Sequence, residues 1–135
     1  MIPYLLDTNI LSYFLRDSHP GLYARMAQVL ERKEAVISAI TRAEVRFGQS
    51  RMTLQDKRRR HIDLLLEQLP TLPWTQAAAD AYGTLKMQLQ SMGRPIGELD
   101  TQLAAHALAE NLILVTHNTR HFEKVPGLKL EDWMV

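Results

Sequence analysis

Short apolar runs alternate along this chain with segments whose apolar residues recur at helical spacing, and that alternation restricts the fold more than any other feature. Residues 2–6 (IPYLL), 35–40 (AVISAI) and 112–116 (LILVT) are too short for helices and rich in large or branched side chains, so each reads as a buried strand. A short strand is expected around Leu72 to Trp74, framed by Pro70 and Pro73, and a last extended piece at 127–131. Between them, helices are expected over 9–16, 21–32, 41–49, 53–69, 75–92 and 99–110, with a short one from Asn118. Within 53–69, Thr53 and Asp56 form a capping-box pattern, and Leu54, Ile62, Leu65, Leu66 and Leu69 fall mostly on one face. Strands that alternate with helices in this way predict an α/β fold with a parallel sheet covered on both faces.

The 135 residues fit one domain, 1–135, with 16 Lys+Arg against 15 Asp+Glu. Near-neutral charge says little about partners. The absence of cysteine removes disulfides, thiolate nucleophiles and zinc–thiolate sites together. No secretion-type leader opens the sequence and no apolar run approaches about 18 residues, so a cytoplasmic protein without membrane contact is expected.

Asp7 interrupts the first apolar run, in the stretch YLLDTNIL. In parallel sheets ligands bind beyond the carboxyl ends of the strands, near a switch in strand order, which places Asp7 at the mouth of the sheet. Thr116 and Asn118 follow LILVT to the same rim, Glu44 comes one helical turn after AVISAI, and Asp100 opens the helix after GRPIGEL. Converging carboxylates repel one another unless a cation joins them, and oxygen-only donors suit Mg²⁺, with Mn²⁺ as a substitute. Such a cation polarises a phosphoryl oxygen and acidifies water, which is the chemistry of phosphodiester hydrolysis. Each residue also has a plainer reading. Asp7, Asn9 and Asn118 are good N-caps, the TRAE run from Thr41 to Glu44 is itself a capping box, and Glu98 and Asp100 favour a helix start electrostatically. Capping does not explain why all of them reach one rim.

Five ordered blocks, YLLDTNIL at 4–11, ISAITRAEVRFG at 37–48, GRPIGELDTQLAAHAL at 93–108, LVTHNTRHF at 114–122 and GLKLEDW at 127–133, together resemble the PIN-domain ribonucleases of the VapC toxin type. The resemblance implies a three-layer α/β/α sandwich with a parallel sheet of four to five strands, and Mg²⁺-dependent endonuclease activity on folded RNA, tRNA above all. It also implies a VapB-type antitoxin that covers the site, and a homodimer. Its acidic positions fall on Asp7, Glu44 and Asp100, the expected metal ligands and catalytic residues. The fourth position, acidic in many members, falls on Asn118, which adds no charge and weakens the case for a second metal. Thr8 and Thr116 are expected as supporting hydroxyls, Asn9 as a brace for the Asp7 loop, and Glu98 as a spare carboxylate.

Substrate contact needs cations near the rim, and Arg42, Arg46, Arg51, Arg58, Arg94 and Arg120 are the candidates, although the DKRRRH run can equally be a solvated helix face. His117 and His121 read as surface histidines, His106 as packed, and Trp74 and Trp133 as core or interface fillers. The C-terminal EDWMV offers a surface for self-association. A receiver-type signalling domain would need a phosphoacceptor Asp after a middle strand and a Lys after a late one, where this chain has SAIT and THN. A catalytically inactive RNA-binding module of the same fold is the alternative that Asn118 keeps open.

Overall fold

The computed structural model describes residues 2–135. Five strands, β1 (Tyr4–Leu6), β2 (Ala35–Ser38), β3 (Thr71–Leu72), β4 (Ile113–Val115) and β5 (Leu130–Glu131), pair in parallel in the order β3-β2-β1-β4-β5. Seven helices connect them: α1 (Thr8–Arg16), α2 (Pro20–Glu31), α3 (Ala39–Ser50), α4 (Arg58–Gln68), α5 (Gln76–Ser91), α6 (Glu98–Glu110) and α7 (Thr119–Phe122).

The three central strands, β1, β2 and β4, are almost wholly apolar because both faces are covered. Leu5 is in register with Val36 and Leu114, and all three point into the layer packed by Leu85, Leu89 and Leu103 of α5 and α6. The next residues along, Leu6, Ile37 and Val115, point the other way, into the layer of Ile10, Leu22, Met26 and Leu66 from α1, α2 and α4. Burying each such side chain contributes roughly 1.5–3 kcal/mol. The result is the expected three-layer sandwich, and among the described residues no helix is long and apolar enough to cross a membrane.

Two local expectations are corrected. AVISAI does not stay extended to Ile40: the strand ends at Ser38, whose hydroxyl accepts from the Ile40 N–H at 3.0 Å and starts α3 there. The helix expected from Thr53 begins at Arg58 instead. Thr53 and Asp56 form a turn, and Asp56 accepts from the Arg58 N–H at 2.9 Å, so the helix starts five residues later than the sequence pattern placed it. The EDWMV tail is folded back on its own chain, with Trp133 buried edge-on against Tyr4 at 5.0 Å. Trp74 likewise packs internally, against His106 and Tyr82.

The chain builds outward from β1 to β2 and β3, then crosses to the other side of β1 for β4 and β5. The switch in strand order therefore lies between β1 and β4, and the residues that follow those two strands share one crevice.

Candidate active site

Asp7 leaves β1 with its backbone N–H bonded to the Val115 carbonyl at 2.9 Å, so the residue is fixed at the switch point. It occupies the N-cap position of α1, yet its carboxylate makes no capping bond. It instead accepts from the Thr116 hydroxyl at 2.8 Å, across 109 positions of sequence. The same hydroxyl accepts from the Asn118 N–H at 3.0 Å, which ties the loop after β4 to the acid after β1.

Asp7 is only 7% exposed, and burial raises its pKa from 3.8 to about 6. The Thr116 hydroxyl and the Thr8 N–H oppose that rise, while the charges of Asp100 and Glu44 reinforce it. Two further carboxylates thus lie close enough to act on Asp7. Glu44, in the second turn of α3, accepts from the Thr8 hydroxyl at 2.9 Å. The capping box read into TRAE is absent because Ser38 caps the helix. Thr41 is fully buried, and its hydroxyl has no partner among the described residues. Asp100 is the third residue of α6, carried to the cleft by Gly97, whose φ of 95° is open to glycine at little cost.

Asp7, Glu44, Asp100 and Asn118 line one cleft of about 330 Å³, together with Thr8 and Asn9. Asn118 is exposed there and makes no side-chain cap to α7. The amide oxygen of Asn9 is buried and without a partner among the described residues, so the expected brace on the Asp7 loop is not a hydrogen bond from that atom. Glu98 turns away and pairs with Lys86 at 3.2 Å. Among the described residues, no three His, Asp or Glu side chains are already gathered tightly enough to hold an ion. The donor set nevertheless fits a hard divalent cation: all its charged donors are oxygen, and burial, reinforced by the neighbouring carboxylates, holds Asp7 back from ionising, a cost that a bound cation would offset.

Most of the expected arginines are engaged elsewhere. Arg42 donates to the Thr71 hydroxyl, Arg46 to Asp63 at 2.6 Å, and Arg58 to Asp56 at 2.7 Å, while Arg51 lies over the Phe47 ring. Arg94 and Arg120 are exposed and do not line the cleft. Two residues that the sequence reading did not assign to the site stand at it: Arg16, which it passed over, and His121, which it read as a surface histidine. Arg16 is the one cation lining the cleft among the described residues, and Nε2 of His121 lies 2.9 Å from Oδ2 of Asp100. Both had a signal in the sequence: Arg16 is two helical repeats of four from Thr8, and His121 is one turn from Asn118.

Residues 4–128 match the model of the PIN domain family. The chain belongs to the PIN-domain family. Within it the relatives are VapC proteins: "Ribonuclease VapC2" of Rickettsia felis is 34% identical, covering 96% of this chain and 97% of that one. The "tRNA(fMet)-specific endonuclease VapC" of Shigella flexneri is 32% identical, covering 98% and 99%. The crystal structure of VapBC2 from Rickettsia felis bound to a DNA fragment from their promoter contains a chain that superposes with a TM-score of 0.88 at 32% identity, over 98% of this chain and 99% of that one. The PIN-domain fold is thereby the one expected from the five sequence blocks.

A second depression adjoins the acid cleft. It runs between α1, α3 and α4, past Leu11, Leu15, Val45, Met52 and Ile62, and shares Thr8, Arg16 and Glu44 with the cleft. The apolar groove thus opens into the acid cleft.

Proposed function

We infer that the chain is a divalent-cation-dependent endoribonuclease, of the toxin type, that hydrolyses phosphodiester bonds in folded RNA and acts on tRNA to stop translation. The observation that carries this reading is the buried Asp7 carboxylate, facing Glu44 and Asp100 in a cleft at the sheet's switch point. The VapC relatives named for ribonuclease activity support it.

Asp7, Glu44 and Asp100 would hold Mg²⁺, which supplies polarisation of the phosphoryl oxygen and a more acidic water. The chain's own residues do the rest. Thr116 keeps the Asp7 carboxylate aimed into the cleft by donating to one oxygen, and Thr8 does the same for Glu44. Glu44, partly exposed on the cleft wall, is placed to orient the attacking water. The water oxygen bonds to phosphorus, the bond to the 3′ oxygen breaks and that oxygen takes a proton, leaving a 5′-phosphate and a 3′-hydroxyl. Asn118 contributes an amide where many relatives of this fold carry an acid, so one cation rather than two fits the charge available.

The partner is a VapB-type antitoxin, supported by the VapBC complexes that share the fold. The apolar groove beside the cleft is its seat, since a segment lying there covers Glu44. A homodimer completes the assembly, and sedimentation of the free chain tests that part.

The test of the activity is cleavage of end-labelled total tRNA by the wild type and by Asp7→Asn, each with Mg²⁺ and with EDTA. Cuts that require both Mg²⁺ and Asp7, with 5′-phosphate ends, are expected. RNA binding without cleavage by the wild type would instead identify an inactive RNA-binding module.

A further inference from the structure

Thr8, Ser12 and Arg16 stand four residues apart on α1 and so form one stripe of the helix. The first member donates to Glu44, and the wall of the acid cleft continues along all three to Arg16. The guanidinium is held in place there: Nη2 donates to Ser12 Oγ at 3.0 Å, and Cζ lies 5.2 Å from the centroid of the Tyr13 ring. Tyr13 is in turn supported edge-on by His117 at 5.5 Å, whose Nδ1 lies 3.0 Å from the Asp132 carboxylate.

An arginine in a cleft with three carboxylates would ordinarily pair with one of them. Among the described residues none comes within 4.0 Å of Arg16, and the ion pairs that do form use Arg25, Arg46, Arg58, Lys86, His117 and His121. Ser12 and Tyr13 thus keep a fixed cation at the cleft with most of its donors free. A basic residue in the last turn of a helix also complements the helix dipole, but that role needs neither support.

We propose that Arg16, positioned by Ser12 and Tyr13, is a phosphate clamp that grips the RNA backbone beside the bond held over Asp7, Glu44 and Asp100. The proposal rests on the endoribonuclease reading above. A polyanion entering a cleft of three acids is repelled, and a guanidinium fork at its wall offers paired hydrogen bonds to phosphate oxygens. Arg16 also borders the apolar groove, so an antitoxin carboxylate is the competing anion. Phosphate is favoured because the guanidinium shares one cleft with all three acids, where the scissile bond has to lie.

The test compares wild type, Arg16→Gln and Arg16→Lys as full chains, after confirming equal melting temperatures. A short fluorescein-labelled single-stranded RNA is titrated in EDTA across a KCl series, and cleavage of total tRNA is then measured with Mg²⁺. Arg16→Gln should bind RNA about tenfold more weakly, the loss of one charge-assisted contact. The slope of log affinity against log salt should shrink by roughly 0.7, as for one phosphate on a single strand. Arg16→Lys should recover the slope but only part of the affinity. A wild type that cuts tRNA beside an Arg16→Gln chain with the same affinity and slope overturns the clamp and leaves the nuclease standing. Unchanged RNA binding with weakened binding of the antitoxin overturns it in favour of the protein partner. A wild type that neither binds nor cuts RNA removes the endoribonuclease reading, and the clamp with it.

Discussion

Nε2 of His121 lies 2.9 Å from Oδ2 of Asp100 and 2.7 Å from the carbonyl oxygen of Ile96. Both neighbours are acceptors, so Nε2 carries the proton, and the imidazole ties α7 to the start of α6. Asn118 and Asp100 are thereby held at a fixed spacing across the cleft. His121→Ala should release Asp100 and weaken divalent-cation affinity about tenfold, as loss of a ligand's supporting partner does. Calorimetric titration with Mn²⁺ measures this directly, and an affinity equal to the wild type's would show that the contact positions nothing.

The pH dependence of Asp7 has a definite sign. Its pKa is about 6 in the folded chain against 3.8 ordinarily, so the folded state holds the proton more tightly. That contribution to stability is complete below pH 3.8 and is lost as the pH rises through about 6. In EDTA at neutral pH, Asp7→Asn should therefore be the more stable protein, by up to roughly 3 kcal/mol. Added Mg²⁺ should stabilise the wild type and leave the variant unmoved. Thermal melts decide it, and a variant that melts at or below the wild type in EDTA contradicts the account.

Thr116→Val removes the hydroxyl that lowers the Asp7 pKa while nearly preserving volume. Asp7 should then ionise at still higher pH, moving the acid limb of the cleavage profile upward. Near neutrality the rate should fall about tenfold or more, the scale of a hydrogen bond to a charged group. An acid limb that stays in place would mean the hydroxyl does not govern Asp7.

His106 is fully buried, with Nδ1 2.8 Å from the Ser38 hydroxyl, and burial lowers its pKa below 6.5. Its stabilising neutral form is present above pH 6.5 and is lost as the pH falls through the lower folded value, opposite in direction to Asp7. In the Asp7→Asn background, acidification should lower the melting temperature, and His106→Leu should flatten that response. A response that survives the leucine substitution assigns it to another group.

The sequence carried the alternation of elements and the four rim positions because strand burial and strand ends are written locally, in runs such as LILVT and in the polar residues that stop them. Its errors lie where two local signals compete. AVISAI is apolar to Ile40, but Ser38 is the better cap, and the Thr53–Asp56 pattern lost to the pairing of Asp56 with Arg58. Arg46 and Arg58, two of the cations expected near the rim, pair with acids that only the fold or the turn brings near. Arg16 was passed over and His121 was read as a surface histidine for the converse reason: each gains its meaning from a partner on another element or from the cleft wall, which no single segment displays.

The strand made first ends in the middle of the sheet. β1 finds β2 early, but its other neighbour, β4, begins at Ile113, and the donor that orients Asp7 follows at Thr116. A chain still emerging from the ribosome therefore has its first acid and lacks the wall that would put it to use. The acid cleft is thus among the last features that a chain can complete during its synthesis.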